Sequence, residues 1–172
     1  MLTTIQSYLS TVKLDKVAPA PYCCINNKED ARRGLIGFFY NVASGPITVL
    51  DAKTLLIPNF SFEGAKPPDG WIFTGKGGID KATGKRAYIV GRDTRERHCP
   101  LREDYSGRNG LIIRLADDQT VYDINYVSVF CYEFAVDFGH VLFNLRADQV
   151  AVPPFIPPVQ HGPNVVRTQT QC

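Results

Sequence analysis

Apolar residues in this chain occur in short runs that are separated by turns rich in Gly, Pro, Asp and Asn. The run "ITVL" is followed by the turn "DAK" and then by "TLLIPNF", a pattern that predicts a β-hairpin. Pro58, which lies inside the second run, predicts an edge strand or a bulge at that point. Eight or nine such runs recur along the sequence, and one of them is "TVYDI". This spacing predicts an all-β fold, an antiparallel β-sandwich or a barrel-like sheet.

The densest apolar run extends from residue 121 to 141 and contains Cys131 near its centre. Val127, Val129 and Cys131 share one face of the predicted strand, because successive side chains of a strand point in opposite directions. The opposite face carries Ser128 and several aromatic residues. Both faces are largely apolar, so the run predicts a central strand that is packed on both sides.

The two ends of the chain differ from this pattern. Leu2, Ile5, Leu9 and Val12 have helix-like spacing, which predicts a short N-terminal amphipathic helix or a frayed tail. The segment "VPPFIPPVQHGP" near the other end has an extended, polyproline-like composition. The sequence therefore predicts an N-terminal extension over 1–33, a β domain over 34–148 and a Pro-rich C-terminal tail over 149–172.

Length and charge limit the class of protein. The chain has 172 residues, enough for one domain with a hydrophobic core. Its formal net charge is +2 and its basic residues are scattered, so nucleic acid is not predicted as a partner. No stretch reaches the length of about 18 apolar residues that a membrane span needs, and no signal peptide is recognised in this chain.

Five cysteines predict disulfide bonds and therefore an oxidising compartment. Cys23, Cys24, Cys99 and Cys172 lie in polar or turn-rich segments, so we expect two disulfides among them and a free thiol at Cys131. Four cysteines allow three pairings, and we expect the neighbours Cys23 and Cys24 not to bond each other. The sequon "NFS" makes Asn59 a glycosylation candidate, which agrees with secretion.

Motifs of known catalytic sites are missing from the sequence. It contains no G-x-S-x-G, P-loop or H-E-x-x-H pattern, and its histidines and cysteines lack the spacing of metal ligands. Cys131 and His140 are the nearest match to a Cys–His pair, but burial in an apolar strand disfavours a thiolate. The sequence therefore assigns no enzyme class, and the balance favours a protein that is not an enzyme.

Residues 34 to 145 resemble the DM13 domain, a module of Skeletor- and Knickkopf-like extracellular proteins. The resemblance is carried by an ordered set of short motifs, among them "VLDAKTLLIPNFSFEG", "PLREDYSGRNGLIIRLADDQTVYDI" and "YVSVFC" followed by "VDFGHV". The matching positions are Asp51, Lys53, Leu55, Ile57, Asn59, Phe60, Phe62, Gly64, Pro68, Asp69, Gly75, Leu101, Tyr105, Leu115, Asp123, Ile124, Ser128, Phe130, Cys131, Phe138, Gly139 and Val141.

The resemblance implies an extracellular domain with a redox or electron-transfer role at the cell surface or in the matrix. It implies that Cys131 acts as a thiol or as the ligand of a prosthetic group such as haem, with His140 as a weaker candidate for a second ligand. The alternative is a binding module for extracellular, matrix or cuticle proteins and polymers, with the aromatic candidates Trp71, Phe73, Tyr88 and Tyr105. The prosthetic group, the partner and the oligomeric state are not specified by the sequence.

Overall fold

The structure, a computed structural model, describes residues 17–157 and 172 together with the backbone of residues 3–7 and 10–14. Every regular element among them is a β-strand or part of a turn. The strands are β1 (Thr3–Ser7), β2 (Ser10–Leu14), β3 (Tyr22–Ile25), β4 (Ile36–Gly37), β5 (Ile47–Asp51), β6 (Thr54–Ile57), β7 (Ser61–Glu63), β8 (Gly70–Gly75), β9 (Gly84–Arg86), β10 (Tyr88–Ile89), β11 (Asp104–Ser106), β12 (Leu111–Arg114), β13 (Tyr126–Cys131) and β14 (Val136–Leu142).

Two five-stranded antiparallel sheets form the body of the domain. The first sheet has the order β10-β12-β6-β5-β3, and the second has the order β4-β14-β13-β8-β9. The pair β11-β7 joins the second sheet through bridges from Ala43 to Ser61 and to Ile36. Strand β3 is an edge of the first sheet and pairs with β5.

The inner faces of the two sheets supply one hydrophobic core. Val49, Leu55 and Ile113 of the first sheet are fully buried in the same cluster as Val127 and Val129 of the second. Burial of apolar surface between two sheets is the arrangement of a β-sandwich. The predicted all-β sandwich is therefore confirmed.

Strand β13 is the central strand that the sequence predicted. All six of its residues are buried, and it pairs with β8 on one side and with β14 on the other. Its inner face belongs to the main core, while Tyr126 and Phe130 on its outer face form a second cluster with Trp71 and Phe73.

Two predicted strands take a different form. The run "TLLIPNF" divides, because β6 ends at Ile57, before Pro58, and Asn59 has a left-handed backbone with φ of 51°. Strand β6 is thus an interior strand, and the chain after Pro58 continues as β7 in another sheet. The run "TVYDI" forms turns, since the Asp123 carboxylate accepts hydrogen bonds from the Thr120 N–H, at 2.8 Å, and from its hydroxyl, at 3.0 Å.

The prediction of a short N-terminal helix was wrong. Strands β1 and β2 pair there as an antiparallel hairpin, with Thr3 opposite Leu14 and Ser7 opposite Ser10. Thr and Val residues favour strands because their branched side chains restrict χ1. At the other end of the chain, Ala52 donates its N–H to Pro153, and residues 158–171 lie outside the described part.

Candidate functional site

Cys131 is the last residue of β13 and lies on the inner face of the second sheet. It pairs with Gly70 of β8 and with Val136 of β14, and it is 1% exposed. The ring of Phe62 occupies the space beside Gly70, since a Cβ at that glycine would lie 3.0 Å from Phe62 Cζ. Cys131 is free, while the other four cysteines are joined in disulfides.

A cavity of about 330 Å³ has Cys131 among the residues that line it. The residues that line it are apolar or aromatic, with the Cys131 sulfur and the Tyr40 hydroxyl as their polar side-chain atoms, and they are Phe39, Tyr40, Pro67, Pro68, Cys131, Phe134, Val136 and Phe138. Its volume lies at the lower end of the range of small-molecule sites, about 300–1,000 Å³. No charged side chain lines the cavity, so the cavity suits an uncharged or apolar small molecule.

The mouth of the cavity is formed by exposed aromatic residues on two turns. Phe39 is 53% exposed and Phe134 is 63% exposed, although aromatic rings are usually buried. Tyr40 and Ala135 have φ of 56° and 53°, in the left-handed region that residues other than glycine seldom adopt. Such backbone conformations are often retained near functional sites, and here they flank the entrance to Cys131.

The first of these turns is fixed by hydrogen bonds to β7. The Asn41 amide donates to Glu63 Oε1 at 2.7 Å, and the Ser61 hydroxyl donates to the Asn41 carbonyl at 2.7 Å. The Glu63 N–H also donates to the Tyr40 carbonyl at 2.8 Å. The aromatic side chains at the mouth are therefore held outward by a well-bonded backbone.

His140 does not share the Cys131 site. It pairs with Ser128 across β13 and β14, so it lies on the outer face of the sheet whose inner face carries Cys131. There the Asp137 carboxylate accepts hydrogen bonds from His140 Nδ1 at 2.5 Å and from the Ser128 hydroxyl at 2.7 Å. The bond to Asp137 raises the pKa of His140, although partial burial opposes this effect.

The residues around Cys131 do not fit a haem. Among the described residues that line the cavity, the Cys131 sulfur is the single strong ligand for a haem iron. His140 lies on the other side of the sheet. Haem carboxylates are commonly bound by cations, and the lining contains no Lys, Arg or His. No group of three or more metal-ligating side chains occurs among the described residues.

The aromatic candidates predicted for binding lie elsewhere. Trp71 and Phe73 are 7% and 1% exposed and pack on the outer face of the second sheet, where the Arg86 guanidinium stacks on the Trp71 ring at 4.1 Å. Tyr88 is half-buried against His98. Tyr105 is half-buried and donates to the Glu103 carboxylate, and burial is the main cause that raises its pKa. Trp71 and Phe73 are therefore core residues, as aromatic side chains usually are, and they are not available as surface binding residues.

The mouth residues were not predicted from the sequence. The run "GLIGFFYNV", which contains Phe39 and Tyr40, is short and apolar like a strand, and Phe134 lies within the apolar run that predicts the central strand. Two aromatic residues in succession at a turn are a signal that could have indicated surface exposure. The structure shows a two-residue strand, β4, followed by the exposed turn.

The disulfides join Cys23 to Cys24 and Cys99 to Cys172. The sequence disfavours a bond between the neighbours Cys23 and Cys24; in the structure these two are joined, and Cys99 bonds Cys172, with Cα atoms 5.4 Å apart. Asn59 is exposed in the turn after β6, and its glycosylation stays a prediction. Among the described residues, no helix is long and apolar enough to cross a membrane.

These features define a small β-sandwich with a buried, unpaired thiol behind an aromatic entrance. Residues 39–143 match the family described as Electron transfer DM13, and the chain belongs to this family. It is 39% identical over 114 residues to two forms of the Skeletor protein of Drosophila melanogaster, isoforms B/C and D/E. The match covers 66% of this chain but 13% and 7% of those relatives. No solved structure shows significant similarity to the chain.

Proposed function

We propose that this chain is an extracellular redox module in which the Cys131 thiol is oxidised and reduced reversibly. The observation that carries the proposal is that the free cysteine, Cys131, lines an aromatic-rich cavity, while the other four cysteines are in disulfides. The description of its family as an electron-transfer domain supports the proposal. Two disulfides agree with an oxidising compartment, such as the cell surface or the extracellular matrix.

The chemistry that the cavity allows is an exchange between the thiol and a small uncharged oxidant. With a peroxide, the thiol sulfur gains one oxygen and loses two electrons, the O–O bond breaks, and water leaves. The resulting sulfenic acid is reduced by a small thiol, which forms a mixed disulfide and releases water, and a second thiol then restores Cys131.

The test is the intact mass of the native protein after treatment with hydrogen peroxide. We expect the mass to rise by one oxygen atom, located at Cys131 by peptide mapping, and to return to its first value after addition of a thiol. The variant Cys131→Ser retains the disulfides and should gain no oxygen that a thiol can remove. A folded wild-type protein whose Cys131 stays reduced in peroxide, but is oxidised after unfolding, would contradict the redox role.

That contrary result would favour a second candidate, a binding module for matrix or cuticle proteins or polymers. The exposed rings at the mouth support this alternative, because Phe39 and Phe134 are each more than half exposed, at 53% and 63%, and Phe38 nearby is 60% exposed. Clusters of exposed apolar rings are typical of interaction sites. In that case Cys131 would be an inert core residue, as buried thiols usually are.

A further inference from the structure

We propose that Asp137, together with His140, is a positioning residue of the Cys131 cavity and that it makes access to the thiol depend on pH. The inference deepens the proposed function, since it concerns entry to the same cavity. Asp137 and His140 do not contact the thiol, because they lie on the opposite face of the sheet. They act through Phe138, which directly follows Asp137 in the chain and lines the cavity.

A β-bulge brings Phe138 into the cavity wall. Val129 pairs with Gly139 and Phe130 pairs with Asp137, so Phe138 is an extra residue with no partner of its own on β13. Bulges re-aim side chains and are often found beside functional sites. The Asp137 carboxylate spans this bulge, since Oδ1 accepts the Gly139 N–H at 3.1 Å and the Ser128 hydroxyl at 2.7 Å.

The mouth of the cavity depends on the same bulge. The Phe138 carbonyl accepts hydrogen bonds from the N–H groups of Phe38, at 2.7 Å, and of Phe39, at 3.1 Å. The Tyr40 ring meets the Phe138 ring edge-on at 4.9 Å between centroids. Two walls of the entrance are therefore attached to Phe138, and a shift of the bulge would move them together.

His140 is the residue that makes the bulge and the Phe38–Tyr40 turn sensitive to pH. Its Nδ1 lies 2.5 Å from Asp137 Oδ2, and its ring centroid lies 5.4 Å from that of Phe38, within reach of a cation–π contact. The charged groups that act on it are Asp137 on its own strand and Glu29 in the loop between β3 and β4. Its pairing partners on the neighbouring strands, Ser128 and Ile36, are uncharged.

The direction of the pH dependence follows from the sign of the shift. The bond to Asp137 raises the pKa of His140 in the folded protein above its unfolded value of about 6.5. The ion pair is therefore fully formed below pH ~6.5 and is lost as pH rises through the higher folded pKa. At low pH the bulge and the Phe38–Tyr40 turn are held most firmly, and the entrance is most closed.

The experiment measures the rate at which N-ethylmaleimide labels Cys131 in the native full chain across pH 5 to 9. The thiolate fraction rises with pH in every variant, so the ratio of each variant's rate to the wild-type rate isolates the effect of His140. We expect His140→Gln to label on the order of fivefold faster than wild type at low pH, the size typical of a partly exposed ion pair. The ratio should fall to one above the folded pKa of His140.

His98→Gln is the matched control. His98 lies in the loop between β10 and β11, where its imidazole stacks on Tyr88 and does not contact Asp137. Its ratio to wild type should be one at every pH. Asp137→Asn keeps an acceptor for the Gly139 N–H but lacks the carboxylate charge, and it should follow His140→Gln. Ratios of the two site variants that do not vary with pH would overturn the proposal.

Hydrogen exchange of the wild-type protein supplies a test that needs no variant to fold. Protection of the Phe38 and Phe39 amides, corrected for the intrinsic pH dependence of exchange, should fall as pH rises through the His140 pKa. Constant protection overturns the proposal. If the labelling ratio depends on pH but Cys131 is not oxidised by peroxide, the proposed redox function is wrong and this inference stands. If the labelling ratio does not change with pH but Cys131 is oxidised reversibly, this inference is wrong and the proposed function stands.

Discussion

Lys53 shows how a single residue of the family pattern acts in the fold. Its ammonium donates hydrogen bonds to the carbonyls of Asp117, at 2.6 Å, and Gln119, at 2.7 Å, and thereby joins the β5–β6 turn to the turn after β12. Partial burial is the main cause that lowers the pKa of Lys53. Lys53 is thus a structural residue that binds two backbone acceptors far away in the sequence.

We expect Lys53→Met to lower the free energy of unfolding by about 1–3 kcal/mol, because it removes two hydrogen bonds from a charged donor. Methionine keeps the apolar part of the side chain, so the change reports the lost ammonium. Lys85→Met is the matched control, since Lys85 forms an exposed ion pair with Asp117 that should contribute less than about 1 kcal/mol. Urea unfolding curves would measure both; equal effects of the two variants would contradict this role.

At the scale of elements, the local sequence pattern predicted a strand correctly where both faces of the strand are apolar. It predicted a strand incorrectly where side-chain hydrogen bonds stabilise turns. Strand β13 was predicted because both faces of "YVSVFC" carry mainly apolar residues, and the structure buries all six of them. "TVYDI" has the same local appearance but forms turns, since Asp123 bonds to Thr120. The long segment between β10 and β11 has no apolar pattern, and the contacts of one arginine connect its two ends.

Arg92 is that arginine, and its guanidinium is mostly buried, with 21% of the side chain exposed. It forms a two-point ion pair with Asp93 and donates to the carbonyls of Cys99 and Pro100 and to Glu103. These contacts connect the start of the loop to its end.

We expect Arg92→Met to destabilise the protein by about 3–5 kcal/mol, because the buried carboxylate of Asp93 keeps the hydrogen bond from the Ile89 N–H but loses its cation. Hydrogen exchange within residues 91–103 should increase more than elsewhere. Arg146→Met is the control, since Arg146 forms a similar two-point pair with Asp148 that is fully at the surface. A loop whose exchange does not change in Arg92→Met would show that other contacts hold it.

At the scale of the whole molecule, the two disulfides differ greatly in the length of chain they close. Cys99 and Cys172 are 73 residues apart in sequence, whereas Cys23 and Cys24 are neighbours. In the chain-entropy account, the stabilisation from a disulfide grows with the length of the closed loop. The stability of the domain should therefore depend mainly on the Cys99–Cys172 bond.

We expect the double variant Cys99→Ala with Cys172→Ala to lower the free energy of unfolding by about 4 kcal/mol. Cys23→Ala with Cys24→Ala should change it by much less, because that bond closes almost no loop. Denaturant unfolding of both double variants under non-reducing conditions measures the difference. A larger loss from the second pair would contradict the loop-length account.

The sequence by itself determined the all-β class, the central strand with Cys131, and four cysteines available for disulfides. These properties depend on alternation, turn residues and composition, which act over a few residues. The tertiary structure alone decided which face His140 occupies, which cysteines bond, and which aromatic rings surround the thiol. Those features depend on strand register and on a single-residue bulge at Phe138, and a shift of one residue moves a side chain to the other face of the sheet.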